Sequence, residues 1–158
     1  MAASEFVLNL RRKVGHDLLQ FVGASGVVIT DDRQVLLVKT KETLTWMPIG
    51  GMIEVGEEPA DAVVREVFEE TGVNVMPERI AGVFDGPDVT YRNGDRAHFI
   101  SIVFRCRPVN GEPRVNDDET TDVRYFPLDA LPELRADHRR NIEHAMKDTP
   151  AAAFLRRR

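Results

Sequence analysis

A single cysteine, Cys106, stands among 158 residues, which excludes an internal disulfide framework and a zinc cluster built on thiolates. Its neighbours Ile102 and Phe104 are apolar and strand-like, so a buried core thiol is expected. No apolar run approaches the roughly 18–20 residues of a membrane-spanning helix, so no membrane partner is expected. The opening residues, Met1 to Phe6, lack the charged-then-apolar order of a secretory signal. A reducing, cytoplasmic setting is therefore the expectation. Positive charge is also short: 21 Lys and Arg face 26 Asp and Glu, a formal charge of -5. Phosphate-backbone affinity comes from cationic side chains, so stable nucleic-acid binding is not expected. A small phosphorylated ligand stays compatible with this balance, because a bound divalent cation dominates the field at its own site. Repeats, linkers and low-complexity tracts are lacking too. At 42% hydrophobic and 30% charged, the chain suits one globular domain over residues 1–158.

Helical spacing of Phe6, Val7, Leu10, Val14, Leu18 and Leu19 predicts an N-terminal helical segment within residues 1–19, with Ser4 as its cap. Gly26 to Thr30, the polar turn Asp31-Asp32-Arg33 and Val35 to Val38 predict a hairpin. Leu44 to Glu57, with Pro48, Gly50, Gly51 and Gly56, predicts a loop with little regular structure. A helix is expected from Pro59, whose missing N–H costs nothing in a first turn, to Thr71, with Gly72 as a left-handed cap. Strands follow at Ile80–Phe84, His98–Arg107 and Val123–Phe126, the first two separated by a polar loop from Asp85 to Asp95. Pro127 to Pro132 suggests a strand exit and short helix, His138 to Met146 a last helix, and Arg156 to Arg158 a solvated end. Helices and strands without regular β-α-β alternation predict an α/β fold with a mixed β-sheet between helices.

The most informative segment runs from Gly51 to Val73. A glycine loop, Gly51 to Glu57, opens into a helix carrying Glu66, Glu69 and Glu70. At i, i+3 and i+4 these three carboxylates project from one side of a helix. Ala60, Val63, Val64, Val67 and Phe68 form an apolar stripe on another side, expected to pack on the sheet. Adjacent anions repel unless a cation sits among them, and clustered carboxylates suit a hard cation such as Mg²⁺. Arg65 is the other candidate neutraliser. Glu57, at the helix start, favours the positive end of the helix dipole or braces Arg65.

Three glutamates on a generic helix usually form a solvated face, but the spacing here is specific. Gly51, Glu57, Arg65, Glu66, Val67, Glu69, Glu70, Gly72 and Val73 occupy every defined position of the Nudix box: Gly, five residues, Glu, seven residues, Arg-Glu-apolar-any-Glu-Glu-any-Gly-apolar. At average residue frequencies a chance match is on the order of one in ten million. The chain thus resembles the Nudix (MutT-like) hydrolases, with residues 51–73 as the box and the segment Arg124 to Leu128 similar to the family's late strand exit. The resemblance implies an α/β/α sandwich that hydrolyses a diphosphate bond in a nucleoside diphosphate linked to another moiety. It implies Mg²⁺ or Mn²⁺ held by Glu66, Glu69, Glu70 and the carbonyl of Gly50, with Arg65 orienting Glu57. It also implies a general base, either a box glutamate or an acid on the loop before the late strand. Glu119, in Asp117-Asp118-Glu119, is the best match to that loop acid. One departure stands upstream: many members read Trp-x-Leu-Pro-Gly-Gly, whereas this chain reads Trp46-Met47-Pro48-Ile49-Gly50-Gly51. The displaced proline is expected to alter the loop without abolishing metal binding. Trp46 is expected to pack in the core or hairpin, with stacking on a base or ribose as the other reading.

Substrate cues conflict. In the family, a proline about 15 or 16 residues past the box accompanies ADP-ribose hydrolysis, and a tyrosine about 17 or 18 past it accompanies dinucleoside-polyphosphate hydrolysis. This chain has Pro87 at 14 and Tyr91 at 18 past Val73. The lean is toward an ADP-ribose or nucleotide-sugar type, with dinucleoside-polyphosphate or nucleoside-triphosphate hydrolysis as the alternative. Another class, a non-catalytic nucleotide sensor on the same fold, is disfavoured because such relatives commonly lose box acids. Lys39, Arg92, Arg96 and His98 are expected to be surface or packed strand residues. The N-terminal segment is open to two roles, a homodimer interface or packing on its own domain.

Overall fold

The computed structural model describes residues 4–156. Its elements are α1 (Glu5–Val14), β1 (Leu19–Val28), β2 (Gln34–Thr40), β3 (Trp46–Met47), β4 (Ile49–Met52), α2 (Pro59–Thr71), β5 (Asn74–Thr90), β6 (Arg96–Asn110), β7 (Thr120–Pro127), α3 (Ala136–Met146) and β8 (Ala153–Phe154). Five strands form a mixed sheet in the order β4-β1-β6-β5-β8, and three form an antiparallel sheet, β3-β2-β7. In the larger sheet β1 runs parallel to β6 and antiparallel to β4. The expected mixed sheet between helices is present, and the smaller sheet adds to it.

Burial explains the layering. On one side, Val63 and Val67 of α2 pack with Ala24, Val28, Phe104 and Cys106 of the large sheet and with Leu36 and Val38 of the small one. Each fully buried valine contributes about 1.5–3 kcal/mol. On the other side, Ile142 and Ala145 of α3 meet Val27, Ala81, Phe84 and Val103. Cys106 lies in the first of these cores, and burial pushes its thiol up to about 12. No helix among the described residues is long and apolar enough to cross a membrane.

Several expectations are corrected. Of the helical segment placed in residues 1–19, residues 1–3 lie outside the described residues and the rest is helical only over α1: Ser4 accepts a hydrogen bond from the Val7 N–H, and Gly15, at φ 63°, ends the helix. Leu19 already belongs to β1, drawn into a ten-residue parallel ladder with β6. The expected hairpin reduces to one bridge, Ile29 to Val35, because β1 and β2 enter different sheets. The loop from Leu44 to Glu57 contains β3 and β4, and buried Pro48 stands where the chain leaves one sheet for the other. A residue without an N–H suits such a switch, since it cannot extend a ladder. The polar loop from Asp85 to Asp95 is mostly strand: β5 runs to Thr90 and absorbs Gly86 and Pro87 as an irregularity between Asp85 and Asp88. Residues 128–132 form turns, not a helix. Arg156 is exposed, and Arg157 and Arg158 lie outside the described residues.

Candidate active site

The box loop enters β4, which pairs with β1 so that Gly51 faces Ala24 and Gly50 faces Ser25. Both glycines are sterically required. A Cβ on Gly51 would lie 2.2 Å from Oε1 of Glu66, and one on Gly50 would lie 2.6 Å from the Ala24 carbonyl oxygen. Pro59 opens α2, and Gly72, left-handed at φ 71°, closes it by donating its N–H to the Phe68 carbonyl. The loop and helix are thereby pressed together, with the glutamates at their seam.

Arg65 is the hub of that seam. Its Nε and Nη2 donate to both oxygens of Glu57, at 2.8 and 2.9 Å. Its Nη1 reaches Glu66 at 2.8 Å and Glu69 at 3.3 Å, and Nη2 also reaches the Met52 carbonyl at 3.3 Å. Glu57 in turn accepts the Glu54 N–H at 3.0 Å. Hydrogen bonding to Arg65 holds the Glu57 carboxyl below the usual range, and the same partners raise the arginine further above its own.

The three box glutamates are not equivalent. Glu66 is 1% exposed, whereas Glu69 stands half in solvent. Burial pushes Glu66 upward despite its bond to Arg65. Burial also pushes Glu70 up to about 8, with the charges of Glu66 and Asp117 adding and a hydrogen bond from the Gly50 backbone opposing. The apolar stripe needs one correction. Val63 and Val67 are buried as expected, but Phe68 is 42% exposed and Thr71 takes an inner place, its hydroxyl donating to the Val67 carbonyl.

Among the described residues no three acidic, histidine or cysteine side chains converge as a ready-made metal nest. The chemistry of the donors nonetheless fits a hard divalent cation. All are oxygens, the box carboxylates lie at i, i+3 and i+4 on one helix, and Glu70 meets the Gly50 backbone.

Other candidates lie elsewhere. Pro87 is exposed on the irregular stretch of β5, and Tyr91 sits in the turn before β6. That turn is tied to α1 through Asp95, which pairs with Arg11 and His16. Neither Pro87 nor Tyr91 joins the Arg65 network. Exposed Glu119 lies before β7, its N–H donating to Asp117 Oδ1 at 3.2 Å. Half-buried Trp46 packs edge-on against Phe126, with ring centroids 4.7 Å apart and the Arg124 guanidinium above it.

Two arrangements escaped sequence reasoning. Asp117, on the expected loop, is the acid whose charge reaches Glu70. His98 is held by two carboxylates, Asp88 at 2.7 Å and Asp85 at 2.8 Å, and is not a plain packed strand residue.

A NUDIX domain model matches residues 20–147. The chain belongs to the Nudix family of hydrolases. Among its relatives, a MutT-like protein of Streptomyces ambofaciens is 34% identical over 119 residues, covering 75% of this chain and 71% of the relative. An ADP-ribose pyrophosphatase of Methanocaldococcus jannaschii is 36% identical over 124 residues, covering 76% of this chain and 70% of the relative. The crystal structure of a MutT Nudix hydrolase from Burkholderia pseudomallei superposes with a TM-score of 0.68 at 30% identity, covering 80% of this chain and 98% of that one. The fold expected for a Nudix hydrolase is thus the one this chain adopts.

Proposed function

We propose that this Nudix hydrolase cleaves the diphosphate bond of a nucleoside diphosphate joined to another moiety, with ADP-ribose or a nucleotide sugar as the first substrate class. The supporting observation is the Arg65 network, which holds the buried Glu66 against Gly51 and ties it to Glu57. Glu66, Glu69, Glu70 and the Gly50 carbonyl would hold Mg²⁺ or Mn²⁺. When bound, such a cation polarises a phosphoryl oxygen, offsets the charge of the leaving group and makes a bound water more acidic.

The protein's own part is placement. Arg65 spreads its fork over Glu57 and Glu66 and so ties the loop to the helix. Glu57 keeps its negative charge on that arginine and fixes the loop through the Glu54 N–H. Proton removal from the attacking water falls to an acid on the loop before β7. Glu119 is the candidate from the loop before β7, and Asp117, on the same turn, is the acid coupled in charge to Glu70. Pro87 and Tyr91 are proposed as substrate contacts on the β5–β6 end of the sheet. The ADP-ribose lean draws support from the Methanocaldococcus jannaschii relative named for that activity. A soluble nucleotide diphosphate is the partner this reading requires, and cytoplasmic localisation is the setting proposed for it.

A panel of nucleoside diphosphate derivatives tests this reading. Release of a nucleoside monophosphate from ADP-ribose or a nucleotide sugar, dependent on Mg²⁺ or Mn²⁺, is the expected result. Preference for dinucleoside polyphosphates would shift the substrate class. Tight binding without turnover would identify a sensor.

A further inference from the structure

In a regular strand, side chains three positions apart point to opposite faces of the sheet. Asp85 and Asp88 of β5 do not. Both carboxylates meet the ring of His98 on β6, Asp88 Oδ1 at 2.7 Å from Nδ1 and Asp85 Oδ1 at 2.8 Å from Nε2. The cause is the irregularity between them. Asp85 stands opposite Ile100 and Asp88 opposite His98, so β5 takes three steps where β6 takes two. The extra residue makes a bulge, and a bulge re-aims the side chains around it. Gly86 and Pro87 lie inside this one, pressed so close to β6 that a Cβ on Gly86 would stand 2.9 Å from the Phe99 carbonyl oxygen.

Hydrogen bonding dictates the state of the ring. A carboxylate only accepts, and a neutral imidazole carries one N–H. Carboxylates at both ring nitrogens are therefore satisfied together only by the imidazolium, which also offsets the repulsion of two anions drawn to one face. The charged groups about the ring are these two aspartates on β5 and Arg96, two residues along β6, while its partner on β1 is the uncharged Gln20. Both aspartates are exposed, and exposed ion pairs add little to global stability. The effect of the bridge is local, on the shape of the bulge. At the far end of the same hairpin Asp95 meets Arg11 as well as His16, so that tie does not rely on a histidine alone.

We propose that His98 is a positioning residue for substrate: by bridging Asp85 and Asp88 it closes the β5 bulge and sets where Pro87 meets an ADP-ribose or nucleotide-sugar diphosphate. The inference rests on the reading of Pro87 as a substrate contact.

The test compares wild type with His98→Ala, His98→Lys and Pro87→Ala. Each is followed by hydrogen exchange of the bulge without ligand, by thermal melting, and by steady-state turnover of ADP-ribose with Mg²⁺ across pH. An ammonium carries three donors and can bridge both carboxylates, so His98→Lys should keep slow exchange and a wild-type KM. His98→Ala should speed exchange in the bulge while its melting temperature moves by less than about 3 °C. Its KM should rise roughly fivefold with kcat within about twofold, as expected for lost ground-state binding. The ratio of its KM to that of wild type should be largest below the His98 midpoint. Above the midpoint, where wild type loses the bridge too, the ratio should fall to one. Unchanged exchange in His98→Ala would overturn the bridge. Faster exchange with an unchanged KM, or a KM ratio flat with pH, would leave His98 a purely structural residue and overturn the proposal alone. A wild-type KM in Pro87→Ala, or no turnover of ADP-ribose by wild type, would overturn the Pro87 reading and this proposal with it.

Discussion

Replacing Arg65 by alanine removes the hub of the site while leaving every proposed metal ligand itself unsubstituted. Three close charge-assisted bonds disappear, two to Glu57 and one to Glu66, together with the longer contacts to Glu69 and Met52. Bonds of this kind contribute about 1.5–3 kcal/mol each. The arginine is one-quarter exposed and Glu57 is 16% exposed, so solvent takes back part of that sum. Glu66 cannot be rescued by solvent, because it is buried. Removing one partner of a buried ion pair costs about 3–5 kcal/mol. In a domain of this size that corresponds to a melting temperature lower by about 6–20 °C, measured without metal by calorimetry or circular dichroism. Arg65→Lys keeps the charge but not the fork, and should recover less than half of the loss. Because Arg65 and Glu57 are in contact, a double-mutant cycle with Glu57→Gln should give a coupling of at least about 1 kcal/mol. A loss under about 3 °C in Arg65→Ala, with no coupling to Glu57, would refute the hub.

Other outcomes follow from the same geometry. Gly51→Ala forces a methyl into the Glu66 carboxyl and should destabilise the chain by about 1–3 kcal/mol, a loss that chemical denaturation would show. Since Arg65 lowers the folded-state value of Glu57, the stability this pair contributes is complete above the ordinary glutamate range near 4.5. It drains away as pH falls through the lowered value, and a Glu57→Gln chain should lack that acid-limb loss in urea titrations between pH 6 and 3. His98 carries the opposite sign. Asp88 first and Asp85 second raise it above 6.5, so its contribution is full below 6.5 and fades as pH rises through the raised value. An NMR titration should place the His98 midpoint above 6.5, and a midpoint at or below that would show the two carboxylates to be ineffective. Glu119→Gln and Asp117→Asn separate the proposed bases, since the true one should lose at least roughly tenfold in kcat.

The box was legible because it is local. Pro59, the spacing of Glu66, Glu69 and Glu70, and Gly72 each act within one or two turns of α2, and the glycines match the tight approach of Gly51 to Glu66. Sheet membership was not legible in the same way. Alternation around Val27 and Leu36 marks strands, but which strand each pairs with depends on partners some 70–90 residues on, such as Val27 with Arg105 and Leu36 with Tyr125. Gly86 and Pro87 signal a turn by composition, yet the ladder with β6 continues past them to Thr90 with one irregularity. Phe68 fits an apolar stripe by spacing, but its place on α2 lies at the edge of the core. The hydrogen bond from the Asn116 side chain to the Phe68 carbonyl leaves no sequence signal, because a single polar residue in a coil segment has no period to betray it.

The central claim, a box whose carboxylates hold a cation for diphosphate hydrolysis, is tested most directly by steady-state turnover of ADP-ribose by wild type and Glu69→Gln. The assay is run with Mg²⁺, with Mn²⁺ and with chelator. Loss of a metal ligand predicts at least roughly a hundredfold fall in kcat/KM, or about 2.7 kcal/mol of transition-state stabilisation, and chelator should abolish wild-type turnover. Turnover that survives chelator, or a Glu69→Gln enzyme as fast as wild type, would contradict the account.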